Sequence, residues 1–148
     1  MEHAYVAADL FMEGYNCAQS VFIAFCDLTG FSKEEAAKMS STFGAGIGGY
    51  REVCGAVSGM AMVLGCLYGY DSPTDQAAKK KVYDDIHGLL AQFEEKNGSI
   101  ICRELLKNIP HDKAASPRTA EYYAKRPCAR FVMIAAELLD EFIAQNPL

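Results

Sequence analysis

Six cysteines carry most of the chemical potential of this 148-residue chain: Cys17, Cys26, Cys54, Cys66, Cys102 and Cys128. A thiolate is both a nucleophile and a soft metal ligand, so the candidate chemistries are redox exchange and metal binding. The bland alternative is packing, with the thiols acting as small hydrophobes. Four of the six fall where a helix is expected to start. Cys17 follows Asn16, a capping residue; Cys54 opens a charge-free apolar run; Cys102 lies three residues after Ser99; Cys128 follows Pro127. A helix N-terminus presents N–H groups and the positive end of the dipole, which favour a thiolate. Arg51, Arg103, Arg126 and Arg130 lie within three residues of these cysteines and add to the effect. Cys26 and Cys66 fall near expected helix C-terminal ends, where the dipole acts the other way. Cys54 is expected to be the most nucleophilic of the six, because a glycine loop and Arg51 precede it.

Spacing limits how the cysteines combine. Cys54 and Cys66 are twelve residues apart on one expected helix, about 18 Å along its axis. Cys17 and Cys26 are nine apart, about 13 Å. A disulfide needs Cα atoms within about 7 Å, so any bridge or shared ligand set joins different helices. Cys-x-x-Cys is absent.

The elements that position these residues read as helices throughout. His3 to Glu13 carries Ala4, Ala7, Ala8 and Phe11 on one face, and Gly14 breaks it. Asn16 caps a second helix with stripe Cys17, Val21, Ala24 and Phe25, which Gly30 ends. Ser32-Lys33-Glu34-Glu35 matches a capping box and starts a third helix reaching about Phe43. The run Gly44 to Gly49 reads as a flexible loop. An apolar helix follows from about Glu52 to Tyr68, and Gly55 and Gly59 on it let another helix approach closely. Ser72-Pro73 reads as a cap with proline at the first helical position. The next stripe is Ala78, Val82, Ile86, Leu89, Leu90 and Phe93, closed by Asn97-Gly98. Ser99 caps a short helix holding Cys102 to Lys107, which Pro110 stops. Ser116-Pro117 opens at most one turn in the mixed segment 111–126. Pro127 starts the last helix, with stripe Cys128, Phe131, Ala135, Leu138 and Phe142. The expected fold is all-α: a single domain over residues 1–148, with five to seven helices around a central Gly-rich apolar helix at about 52–68.

Composition excludes several classes. A 51% apolar and 22% charged chain is globular, not disordered. A net charge of -5 argues against nucleic acid as a partner. Val53 to Tyr70 holds 18 residues without a formal charge, but four glycines dilute it, so a buried helix is expected and not a membrane span. The chain opens Met1-Glu2-His3 without a basic leader, which places the expected protein in the cytoplasm, where thiols stay reduced. Gly44, Gly46 and Gly49 match the dinucleotide fingerprint in letters, but a helix precedes them where that site requires a strand. The expected role of this loop is a connector, or close backbone approach to Cys54 or an anion. His87 and His111 have no second ligand at metal-site spacing. Tyr15, Tyr50 and Tyr68 are candidate borders of a pocket near a cysteine. The apolar composition and glycine-faced helices make a homodimer the expected assembly.

Asn16-Cys17-Ala18-Gln19, Cys54-Gly55-Ala56-Val57-Ser58-Gly59, Cys102 and Cys128 together resemble the prokaryotic C_GCAxxG_C_C family of redox-active proteins. The resemblance spans nearly the whole chain. The family label writes glycine before the second cysteine, whereas here the order is Cys54-Gly55. The resemblance implies that Cys17, Cys54, Cys102 and Cys128 form the site. It implies a thiol–disulfide oxidoreductase or electron-transfer protein, working with a redox partner protein or a small thiol. One alternative is that the same four cysteines bind an iron–sulfur cluster or zinc. Another is a helical interaction module with structural cysteines.

Overall fold

The computed structural model describes residues 2–107, 109, 113–115 and 117–148. The expectations for Pro110, His111 and Ser116 lie outside the described residues. Helices run over Glu2–Glu13 (α1), Cys17–Ala24 (α2), Cys26–Thr29 (α3), Lys33–Ser40 (α4), Gly55–Tyr68 (α5), Gln76–Asn97 (α6), Cys102–Leu105 (α7), Ala120–Lys125 (α8) and Cys128–Gln145 (α9). Among the described residues there is no strand beyond one isolated antiparallel bridge, Val53 to Ile101. The fold is all-α.

Local chemistry explains most boundaries. Asn16 and Gln19 form a reciprocal capping box at α2, and Ser32 and Glu35 form another at α4. Gly98 ends α6 in the left-handed conformation. Three boundaries differ from expectation. Phe25 breaks the second helix, so Cys26 begins the short α3 instead of ending a long one. Asp75, not Ser72, caps α6: its side chain accepts the N–H of Ala78, and Ser72 closes a turn with Thr74. Ser99 does not cap α7; its hydroxyl accepts the N–H of Ile101 and donates to Glu104. The short α8, capped by Thr119, was legible only as mixed sequence.

The centre of the bundle is α2, not the glycine-rich α5. Seven of the eight α2 residues are buried, and α2 packs on α1, α4, α5 and α9. The cause is local: α5 turns Gly65 and Cys66 to solvent, whereas α2 has no polar face beyond Gln19. Phe11, Phe22, Phe25, Met60, Leu64 and Phe93 fill the core. The chain ends are joined by His3, which lies 2.6 Å from Asp140 of α9 and 3.0 Å from Asp27 of α3 and stacks on Phe25.

Gly55 and Gly59 face α2, as their spacing suggests. A Cβ on Gly59 meets the Ala18 carbonyl oxygen at 2.8 Å and the Val21 Cβ at 2.9 Å, while a Cβ on Gly65 meets nothing. Gly59→Ala should therefore lose about 1–3 kcal/mol to overpacking even though alanine is the better helix former. Gly65→Ala should gain about 0.5–1 kcal/mol. Urea unfolding followed by circular dichroism checks both; equal effects at the two positions contradict the close approach of α5 to α2.

Candidate functional site

The four helix-start cysteines occupy the expected places. Cys17, Cys102 and Cys128 are the first residues of α2, α7 and α9, and Cys54 is the cap of α5. Two of them are held together by backbone. Cys54 N–H donates to Ile100 O at 2.8 Å, Cys102 N–H donates to Glu52 O at 2.6 Å, and Arg103 N–H donates to Arg51 O at 3.1 Å. This short ladder lays residues 51–54 beside 100–103, so Cys54 and Cys102 reach one place from distant parts of the sequence. Cys17 joins them because Gly55 faces it: a Cβ there lies 3.1 Å from the Cys17 Cβ. Contact between α9 and α2 brings Cys128.

All four cysteines line one cavity of about 390 Å³. All are unbridged and only 4–9% exposed. Cys26 and Cys66 do not line it; Cys66 is exposed and Cys26 half-buried. Among the described residues, no three His, Cys, Asp or Glu side chains are grouped so as to hold a metal ion. The four thiols therefore share a cavity without forming a ready tetrahedral set.

The same cavity is lined by Arg51, Lys113, Arg118 and Arg126, and by no carboxylate among the described residues. The charges sort the thiols. Interaction between the Cys17 and Cys128 thiols raises the Cys17 pKa well above its ordinary value and lowers that of Cys128. Burial opposes the lowering at Cys128, but Arg126, Arg118 and Arg51 reinforce it. Cys102 is raised, because burial outweighs Arg51, whose Nη1 lies 3.9 Å from the Cys102 sulfur. Cys54 is pushed up to about 12 by burial, against the opposing N–H groups of Ala56 and Val57. The expectation for Cys54 is thus corrected. Its helix terminus acts in the expected sense, but desolvation is larger, and Arg51 points to Cys102 instead.

Arg51 owes its position to a strained turn. Ala45, Gly46, Ile47, Gly48 and Gly49 all have positive φ, forming a left-handed turn, and Arg51 follows at φ 60°. Ala45, Ile47 and Arg51 each carry a Cβ in a region that costs about 1–3 kcal/mol per residue. The turn closes through Arg51 N–H to Ala45 O and Glu52 N–H to Gly46 O. A Cβ on Gly46 runs into the backbone of Arg51 and Glu52, so glycine is required there. The segment expected to be a flexible loop is a defined support for a buried guanidinium that is 5% exposed.

Two site residues escaped the sequence reading. Arg118 donates to the carbonyls of Phe11 and Tyr15 at 3.1 and 2.8 Å and sits over the Phe11 ring. It ties the end of α1 to the cavity. Tyr122 of α8 also lines the cavity. Both lie in the segment without periodicity, where no local signal marks them.

The model of the family described as "Putative redox-active protein (C_GCAxxG_C_C)" matches residues 15–142. The chain belongs to this family. The C_GCAxxG_C_C match takes in all four cavity cysteines. An uncharacterized protein of Archaeoglobus fulgidus is 31% identical over 109 residues, 68% of this chain and 72% of its own length. No solved structure matches the chain.

Alkylation of the reduced protein at pH 7 by a small reagent, mapped by mass spectrometry, should label Cys128 first among the cavity thiols and leave Cys54 unmodified. Thiolate fraction governs the rate, and burial pushes the Cys54 thiol up to about 12. Faster labelling of Cys54 than of Cys128 contradicts the sorting of charge.

Proposed function

We propose that the protein performs thiol–disulfide exchange, with Cys128 as the attacking thiolate and Cys17 as its resolving partner. The observation that carries this reading is that Cys17 and Cys128, each at a helix start, line one cavity together with Arg51, Arg118 and Arg126. Two helix-start thiols face one cavity, one disposed to lose its proton and the other to keep it. Such an asymmetric pair suits a two-step exchange.

In the first step the Cys128 thiolate attacks one sulfur of an oxidised substrate. The substrate S–S bond breaks, a mixed disulfide forms on Cys128, and one substrate thiolate leaves. In the second step Cys17 loses its proton to the departing thiolate and attacks the Cys128 sulfur. The mixed disulfide breaks, the second substrate thiolate leaves, and Cys17 and Cys128 are bridged. Two electrons have passed from the protein dithiol to the substrate. Cys54 and Cys102 line the same cavity as neutral thiols and form a second pair to which exchange can pass the bridge. We place this activity in a single helical domain acting in a reducing compartment such as the cytoplasm, where the dithiol form persists.

Treatment of the reduced protein with one equivalent of neutral 2-hydroxyethyl disulfide tests the proposal. Mass spectrometry should find a Cys17–Cys128 bridge. Cys17→Ser should stall with the mixed disulfide on Cys128, and Cys128→Ser should slow cavity oxidation by about 100-fold, since a neutral thiol is a poor nucleophile. Oxidation confined to Cys26 and Cys66 contradicts it.

A further inference from the structure

The cavity that holds the thiols also limits what can reach them, and this restriction deepens the exchange reading, on which the inference rests. Each of the four sulfurs is nearly excluded from the surface, at 4–9% residue exposure. A disulfide within a folded protein partner cannot bring its sulfurs to such groups without opening the bundle. A cavity of about 390 Å³ lies at the lower end of the range for small-molecule sites, roughly 300–1,000 Å³.

The lining selects charge as well as size. The chain has a net charge of -5, yet the four charged side chains on this cavity among the described residues are all basic. They come from separate parts of the fold: Arg51 from the strained turn, Lys113 and Arg118 from the segment before α8, and Arg126 from the approach to α9. Arg118 donates hydrogen bonds to neutral oxygens, those of Phe11, Tyr15 and Tyr123, and its charge remains in the cavity field. Lys113 lies over the Tyr50 ring at 4.2 Å and is exposed, so its ammonium stands at the entrance. An acidic exterior with a basic cleft focuses field lines onto the cleft, and such focusing raises the arrival rate of small anions by about 10- to 1,000-fold.

We infer that the oxidised substrate of this site is a small-molecule disulfide carrying negatively charged groups, drawn in past Lys113 and held beside the four cysteines by the arginines of the cavity. The bonds made and broken are those of the exchange above: the anionic disulfide is reduced to two thiols and the Cys17–Cys128 dithiol is oxidised. The charged groups of the substrate take no part in electron transfer. They meet cations whose other task is to favour the Cys128 thiolate, so the same residues serve both steps.

Three disulfides of similar size and different charge test this: 3,3'-dithiodipropionate, 2-hydroxyethyl disulfide and cystamine. Oxidation of the reduced protein is followed by quenching and mass mapping at low ionic strength. With a free dithiol such as dithiothreitol, the thiolate repels the dianion and attracts the dication, so cystamine reacts fastest. With this protein the order should invert, the dianion reacting about 10-fold faster than the neutral probe and cystamine slowest. Added salt should compress the differences. Lys113→Glu, at an exposed position, should remove most of the dianion's advantage over the neutral probe, both rates being measured on the variant. Equal rates for the three probes, the free-dithiol order, or faster oxidation by a protein disulfide such as insulin would overturn the inference. Failure of all three small disulfides to bridge Cys17 and Cys128 would instead overturn the exchange reading.

Discussion

A thiolate inside a protein needs positive charge or N–H groups close by, because burial alone drives a thiol toward its neutral form. The rest of this structure depends on that constraint. Four cysteines line one cavity; burial pushes Cys54 and Cys102 toward the protonated state, and the neighbouring Cys128 together with burial does the same to Cys17. Cys128 alone of the four is lowered, because Cys17 and the charges of Arg126, Arg118 and Arg51 outweigh its burial. One thiol disposed to lose its proton beside three held toward the neutral form suits the exchange we propose.

The helical architecture serves this placement economically. Each cavity cysteine stands at the start of a helix, so its sulfur is at the mouth of an element whose body is anchored in the core. The α2 helix is the common wall, with Cys17 at its buried tip. Gly59 and Gly55 let α5 lie against it closely enough to bring Cys54. The backbone ladder between residues 51–54 and 100–103 then adds Cys102 and Arg51. The left-handed turn before it stores strain in three non-glycine residues, and the result is a guanidinium buried where the sequence pattern alone would leave it at the surface.

Capping chemistry and spacing were enough to place Cys17, Cys54, Cys102 and Cys128 at helix starts, and to separate them from Cys66. Both readings use interactions a few residues long. The order of the thiols does not follow from sequence, because it is set by burial and by Arg118, which tertiary packing delivers, together with Arg126, two residues before Cys128. The sequence also favoured α5 as the hub because α5 carries the longest uncharged run; centrality belongs to α2, a shorter segment enclosed on all sides. Gly44 to Gly49 looked flexible because glycine permits many conformations, whereas Gly46 is needed for one conformation in particular.

The most direct test of this account is an NMR titration of the reduced protein carrying ¹³Cβ-labelled cysteine, in the wild type and in Cys17→Ala. The account requires the Cys128 signal to titrate below the ordinary thiol value of about 8.5, and to move upward when Cys17 is removed, because Cys17 is the largest influence favouring its thiolate. A Cys128 signal that titrates at or above the ordinary value, or that does not respond to loss of Cys17, would contradict it.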